Sequence, residues 1–301
     1  MDTAESDARA ILFDRERRRL FGLAYRMLGV AAEAEDVVQD AWLRFADVAD
    51  VRRPEALLTT ITSRLAMDRL KSARHRREQY VGPWLPEPLL TDEAADLVEI
   101  DVTVTLGLLT VLERLGPVER AVFVLREAFG LSFDEIADVV DRPAATCRQI
   151  ARRARERVRE GRPRFDVEPG HQRELTVAFV DASMNGQVEQ LTALLHDDVV
   201  LVSDGGAERH AARRPIVGVD RVGRFLTNLA GRRPPETSWV DAEVNGESGV
   251  VLLVGDVVVL VIQVGWSAGR IHAINAVRNP DKLAAVGASL RSHPRTSHPL
   301  R

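Results

Sequence analysis

Apolar residues recur every three to four positions through the first half of the chain, and every second position or in short runs through the last third. The stretch "EAEDVVQDAWLRFADV" puts Val37, Val38, Ala41, Trp42 and Phe45 on one helical face, with Asp36, Gln39, Asp40 and Arg44 on the other. After "VRRP", whose proline suits the first turn of a helix, comes "EALLTTITSRLAMDRLKSARHRR". Leu58, Ile61 and Leu65 point inward there, and Arg64, Asp68 and Lys71 share an outer face. Residues 1–77 therefore read as a helical module.

Residues 78–104 break the pattern. The segment opens on "YVGPWLPEP", a tryptophan among three prolines, and turns acidic. Prolines hold it extended and remove backbone donors, so it reads as a linker. Helical spacing returns at Thr105–Arg114 and Pro117–Glu127, then in a pair of helices beginning at Ser132. That pair, "LSFDEIADVVDRPAATCRQIARRARERVRE", has the build of a helix-turn-helix. Ser132 and Glu135 form an N-terminal capping box, and Ala137 is small enough for two helices to cross closely. Cys147, Ile150, Ala154 and Val158 face inward. Arg148, Arg152, Arg155 and Arg159 face outward, with Gln149 and Arg153 beside them.

Beyond "GRPRFDVEPG" the period changes. Two helices, 172–185 and 187–196, lead into strands at Val199–Ser203, Ser238–Val244, Val250–Val254, Val257–Gly265 and Ile271–Val277, with one helix at Asp220–Leu229. Gly255-Asp256 suits a two-residue hairpin turn, and the apolar run Val258–Val264 suggests a strand covered on both faces. The polar, proline-containing end, residues 284–301, reads as a flexible tail.

Composition changes little in this picture; charge changes a good deal. With 301 residues, 45% hydrophobic and 29% charged, the chain has room for several ordinary globular domains. The polar start "MDTAESDARA" is unlike a signal peptide, and "VGDV" interrupts the one long apolar run, so no membrane segment is expected. The lone Cys147 reads as a small core residue and suits a cytoplasmic setting. The net charge of −4 does not announce a nucleic-acid partner, but the charge is segregated. Nine arginines lie between Arg142 and Arg164, a second basic cluster runs from Arg64 to Arg77, and seven acids without one Lys or Arg lie from Glu87 to Glu113. Guanidinium groups along one helix face can neutralise phosphates and pair with guanine edges in the major groove.

These motifs together resemble a known family. "RMLGVAAEAEDVVQDAWLRF" is similar to the polymerase-binding helix of region two in the sigma-70 family, and "PEALLTTITSRLAMDRLKSARHRRE" to the adjoining segment that recognises and melts the minus-ten element. "LERLGPVERAVFVLREAFGLSFDEIADVVDRPAATCRQIARRARERVRE" is similar to region four, which reads the minus-thirty-five element. With no large domain between them, the resemblance is to the extracytoplasmic-function sigma factors. It implies that Asp36, Val37, Gln39, Asp40 and Trp42 dock on the β′ clamp helices of bacterial core RNA polymerase, with the β flap as a further contact. It also implies that Arg64, Asp68, Arg69 and Arg74 face the minus-ten element, and that Arg148, Gln149, Arg152 and Arg153 contact the minus-thirty-five element of promoter DNA. A base flipped from the stack and a single strand held electrostatically would be the chemistry at region two. Leu57 stands where many relatives carry a stacking tryptophan. Asp141 and Arg142 stand where relatives often have a glycine, so an altered turn is expected.

The last part of the chain resembles SnoaL-like α+β cones, some of which are enzymes; Asp204, His210, Trp239, Trp266 and His272 could line such a cone, though no catalytic pair stands out. One subgroup of these sigma factors carries this fusion, marked by "WLPEP", a "DGGGK"-like turn and "NPDKL". Here Trp84–Pro88 and Asn279–Leu283 match those motifs, and "DGGAER" begins at Asp204. The resemblance implies cis regulation through Trp84, Pro86, Asp204, Gly205, Gly206, Asn279, Pro280 and Asp281. The expected architecture is multidomain: two all-α modules, the second with a helix-turn-helix, followed by an α+β SnoaL-like cone. Its parts are region two at 1–77, a linker at 78–104, region four at 105–164, the cone at 171–283 and the tail. The implied function is a cytoplasmic promoter-specificity subunit, not an enzyme, needing no cofactor or metal and leaving room for a small ligand in the cone. Two alternatives stay open: a ligand-sensing helix-turn-helix regulator acting without polymerase, and a SnoaL-like isomerase or cyclase.

Overall fold

The computed structural model describes residues 3–49, 51–78, 80–90, 105–161, 169–292 and 298–299. The side chains of residues 3–6, 74–76, 78, 161, 169–170 and 298–299 fall outside that description. The chain divides into two compact units. The first holds the helices of residues 3–78 and 108–161; the second holds residues 80–90, 105–107 and 169–299.

In the first unit, α1 (Thr3–Leu28), α2 (Ala31–Ala46) and α3 (Pro54–Glu78) pack on one another. Leu20, Leu23 and Leu28 of α1, Val37, Val38 and Ala41 of α2 and Leu58 of α3 are fully buried. Of these, Val37, Val38, Ala41 and Leu58 are positions the helical spacing selects; Leu65 is buried as well, and Ile61 is half-buried. After α4 (Leu106–Leu112) come α5 (Pro117–Glu127), α6 (Phe133–Val140) and α7 (Ala144–Gly161). The capping box at α6 is present: the Ser132 hydroxyl accepts from the Glu135 N–H at 3.2 Å, and Glu135 Oε2 accepts from the Ser132 N–H at 3.0 Å. Those Ser132 hydrogen bonds, with Arg53 alongside, hold the Glu135 carboxyl below its usual range.

The turn between α6 and α7 is tighter than the missing glycine suggests. Asp141 itself takes the left-handed conformation, φ 53°, and its N–H bonds to the Ala137 carbonyl. A short polar side chain tolerates this region better than most, and the turn closes much as a glycine would close it. Asp141→Val is expected to cost about 1–2 kcal/mol in urea unfolding, and Asp141→Gly little or nothing. Equal losses in the two variants would refute a left-handed Asp141.

The second unit is built on a seven-stranded sheet in the order β2-β1-β6-β5-β4-β3-β7. The strands are β1 (Leu195–Asp204), β2 (Ile216–Val217), β3 (Thr237–Val244), β4 (Glu247–Val254), β5 (Val257–Ser267), β6 (Arg270–Val277) and β7 (His298–Pro299). β1 runs parallel to β6, and the other pairs are antiparallel. Alternation along the strands gives the sheet two apolar faces. On one, Trp239, Val250, Ile262, Val264, Trp266 and Ile274 pack against α8 (Pro169–Met184), α9 (Val188–Leu194) and α10 (Val219–Ala230) through Phe179, Leu191 and Val222. On the other, Val240, Val244, Val251, Val261 and Val277 meet α11 (Pro280–Ser292), Leu106, and Leu85 and Leu90 of the Pro-rich segment.

Three expectations change here. Residues 80–90 belong with the second unit rather than to a free linker, since Leu85–Leu90 are buried on its sheet. The acidic stretch at 91–104 lies outside the described residues. The tail at 284–301 begins as helix: α11 continues to Ser292, because Leu283 and Val286 find the sheet to pack on. Double coverage of β5 is limited to Val261–Trp266, and Val257 is 62% exposed.

Candidate nucleic-acid interface and linker site

α7 presents the arginine face that its spacing predicts. Cys147, Ala154 and Val158 are buried as expected, with Ala151 in place of Ile150, which is half-buried, and this turns Arg148, Gln149, Arg152 and Arg153 to solvent. Arg155 and Arg157 belong to a different set, for they pair with Glu127 and Glu119 and tie α7 to α5. Among the described residues Arg152 pairs only with Glu156 one turn on, both exposed. Such a surface pair contributes a few tenths of a kcal/mol, so Arg152 is cheaply released to another anion. Arg148 stacks over Phe133, 5.5 Å from the ring centre.

The candidate residues of region two are more occupied. Arg69 pairs with Asp36 at 3.0 Å and Asp40 at 2.9 Å, joining the minus-ten set to the polymerase set. Arg64 donates to the Asp138 and Val139 carbonyls, at 2.5 and 3.4 Å, at the C-terminal end of α6. A guanidinium there satisfies orphan carbonyls and suits the negative end of the helix dipole. Arg53 pairs with Glu135, and Asp68 with Lys71. Asp36 and Gln39 are exposed and Asp40 is partly so. Val37 is fully buried, which removes its side chain from the expected docking face: it is a core residue of α2. Trp42 is half-buried, its ring 4.9 Å from Phe13 and 6.4 Å from Phe45. Arg74 lies on α3, but its side chain falls outside the described residues. Leu57, in the tryptophan position, lines a cleft of about 490 Å³ with Arg53, Thr60, Leu131 and Glu135.

The linker residues converge on one buried carboxylate. Asp204 ends β1 with no exposure, and each of its oxygens takes two donors. Oδ1 accepts from the Tyr80 hydroxyl at 2.5 Å and the Gly206 N–H at 3.1 Å. Oδ2 accepts from the Leu85 N–H at 2.8 Å and the Lys282 ammonium at 2.7 Å. Lys282 also donates to the Leu85 carbonyl and lies 3.9 Å from the centre of the Trp84 ring. Asn279 donates to the Tyr80 oxygen and caps the Asp281 N–H. Burial, then Asp204, push the Tyr80 phenol above its usual value, keeping it a donor. A Cβ on Gly205 would run into the Arg209 carbonyl, and one on Gly206 would meet the Asn279 side chain at 2.8 Å. The structure thus brings Trp84, Asp204, Gly205, Gly206 and Asn279 together. Pro86 is buried within the same segment, Pro280 starts α11, and Asp281 faces solvent.

Tyr80 and Lys282 are the residues sequence reasoning missed. Lys282 sits inside "NPDKL", yet its partner lies 78 residues away and no local spacing announces it. A second grip lies farther along, where the Leu89 N–H donates to the Asn245 side chain and the Asn245 N–H to the Leu89 carbonyl.

The residues expected to line a cone do not meet there. Asp204 lies on the opposite sheet face, His210 is exposed in a loop, and Trp239 and Trp266 fill the core against the helices. His272 is half-buried beside His196, ring centres 5.8 Å apart. The linker-covered face instead holds a buried polar row: Asn275 donates to Gln263, and Gln263 donates to Glu247. Burial raises the Glu247 carboxyl to about 8. Among the described residues no cluster of His, Cys, Asp or Glu could hold a metal ion, and no helix is long and apolar enough to cross a membrane.

Comparison with known proteins fits this division. Residues 12–76 match the sigma-70 region 2 family and residues 106–158 the sigma-70 region 4 family. The chain is 40% identical over 248 residues to the ECF RNA polymerase sigma factor SigJ of Mycobacterium tuberculosis, covering 79% of this chain and 78% of that protein. It is 38% identical to a probable ECF RNA polymerase sigma factor of the same organism, SigI, covering 91% and 94%. The crystal structure of M. tuberculosis SigJ superposes with a TM-score of 0.75 at 33% identity, covering 92% of this chain and 98% of that one. Two helical modules followed by an α+β domain is the architecture expected from the sequence.

Proposed function

The chain belongs to the ECF RNA polymerase sigma factors, and from that premise we propose that it brings core polymerase to promoters through α3 and α7, under the control of its own C-terminal domain. The observation that carries the reading is the row of exposed Arg148, Gln149, Arg152 and Arg153 on a helix held by a capped turn. α7 would enter the major groove at the minus-thirty-five element, these side chains taking phosphates and base edges. The outer face of α3 would hold the separated strand at minus ten. Asp36, Gln39 and Asp40 would meet the β′ clamp helices, with the β flap as a further contact. Such a protein acts in the cytoplasm, where polymerase is, and makes no bond of its own.

Arg64 and Arg69 support a closed resting form. Both are engaged within the first unit, Arg64 on α6 and Arg69 on Asp36 and Asp40, so promoter and polymerase must displace contacts the protein makes with itself. Control by the C-terminal domain would run through the linker. The segment joining region two to region four is held at Trp84–Leu90 by Asp204, Lys282 and Asn245, and releasing it would lengthen the free tether.

Run-off transcription with core polymerase tests the reading: the chain should start transcripts at its promoters that core alone does not. Specific operator binding without stimulation of core would favour a conventional repressor or activator instead. Arg152→Ala should weaken promoter binding about tenfold and reduce the salt slope by about 1. An unchanged slope would remove Arg152 from the DNA contacts.

A further inference from the structure

Region two and region four meet, within the first unit, over a buried group of charges outside the expected promoter and polymerase sets. Glu113 stands in the turn before α5, and its carboxylate is shared. Oε1 takes the Arg120 guanidinium of α5, and Oε2 takes the Arg77 guanidinium at the end of α3. Arg120 is fully buried, and the Glu113 and Arg77 side chains are mostly so. Both arginines also reach the C-terminal end of α1, where carbonyls lack helical partners. Arg120 Nε donates to the Arg26 carbonyl at 2.9 Å, and Arg77 Nη2 to the Leu28 carbonyl at 2.6 Å. Phe129, just after α5, adds to the contact: Arg19 and Arg26 of α1 each lie 5.9 Å from its ring centre.

Two like charges are thus held together by the carboxylate between them. Burial lowers the Arg77 pKa; Glu113 opposes that shift and Arg120 adds to it. Taking the carboxylate away would leave two desolvated guanidiniums facing each other, so the contact holds as a unit or not at all. It is also asymmetric. The Glu113–Arg120 pair lies inside region four, and Arg77 is the partner that crosses to region two. Such a contact cannot persist at a promoter. Elements centred about ten and thirty-five base pairs before a start lie about 85 Å apart along straight duplex DNA. Two compact modules of this size in contact have their centres about 30 Å apart. α3 and α7 can both be seated only after the two modules part.

We propose that Glu113 is the latch of the closed form: it fastens region four to region two through Arg77, and its release lets one molecule span both promoter elements. The inference rests on the sigma-factor reading for those two elements, whereas the latch itself belongs to the free chain.

The test uses the full chain with Ser72→Cys on α3 and Glu160→Cys on α7, both exposed positions, each carrying a spin label; Cys147 is fully buried and stays unlabelled. Pulsed EPR on the free chain reads the distance between the modules. The intact latch should give one short distance, and Glu113→Gln and Arg77→Met should each add a longer one. Arg77→Met leaves the Glu113–Arg120 pair inside region four, so it decides the matter even where Glu113→Gln loses helix by circular dichroism. A single short distance in Arg77→Met overturns the proposal. Binding of the free Glu113→Gln chain to a duplex carrying both elements should tighten about tenfold, because apparent affinity follows the fraction of open molecules. Binding to a duplex with the minus-thirty-five element alone should not change, since the arginine face of α7 is already exposed. An equal gain on the two duplexes would reduce the effect to a lost negative charge and likewise overturn the proposal. The EPR distances need neither polymerase nor promoter, and run-off transcription by the unaltered chain is scored separately. Failure of the latch and failure of the sigma-factor reading are therefore distinguishable.

Discussion

Replacing Lys282 with methionine is expected to detach residues 80–90 from the sheet and to lower the melting temperature of the C-terminal domain by about 10 °C. The side chain keeps its length and apolar stem but loses the ammonium facing Asp204, which is fully buried. Removing one partner of a buried pair costs about 3–5 kcal/mol, since the other charge stays desolvated. For a domain of this size each kcal/mol is worth roughly 2–4 °C. Three donors remain on Asp204, and two of them, the Tyr80 hydroxyl and the Leu85 N–H, come from the linker. The ammonium lying on the Trp84 ring would go as well. Hydrogen exchange at Leu85 and Leu89 reads the linker directly, because both amides bond to the second unit. Native protection of those two amides in the methionine variant would show that Lys282 does not hold the linker.

The largest pH effect should come from Glu247. Its carboxyl is raised to about 8 by burial, against 4.5 in the unfolded chain, and no cation reaches it among the described residues. Above pH 4.5 the unfolded chain gives up this proton while the folded protein keeps it to about pH 8. The group's contribution is therefore complete in acid and lost as pH rises through that window. Glu247→Gln keeps an acceptor for Gln263 and has nothing to ionise. It should match the wild type near pH 4.5 and exceed it by something on the order of 4 kcal/mol at pH 8 and above. Urea unfolding at a series of pH values measures the difference. Parallel stability curves for the two proteins would place Glu247 in solvent rather than in the buried row with Gln263.

What the sequence made legible was what depends on near neighbours. Ser132 and Glu135 are three residues apart, the arginine face of α7 follows from helical period, and Gly255-Asp256 marks its hairpin. Each of those signals is complete within a few residues. Trp84 stood out for a related reason, as a bulky ring among prolines, and the ring rests on Lys282. The polar row needed strand register: Glu247, Gln263 and Asn275 meet only because β4, β5 and β6 lie side by side. Val37 shows the limit of borrowing roles from a motif, since α2 turns that position inward while its neighbours Asp36 and Gln39 face out. The helical start of the supposed tail was hidden because Leu283 and Val286 gain their value only against Val261 and Val277. Arg64 was placed on the correct face of α3, but nothing local shows that the end of α6 meets it there.

The linker's grip also has an order in time. Leu85 leaves the ribosome well before the residues that hold it: Asp204 lies 119 positions later and Lys282 197 positions later. At bacterial translation speeds of about 5–20 residues per second, Leu85 is made about 10–40 seconds before Lys282, and both DNA-binding modules, the second ending at Gly161, are complete about 6–24 seconds before it. Every newly made copy thus passes through a period in which Leu85 has neither Asp204 nor Lys282 to hold it.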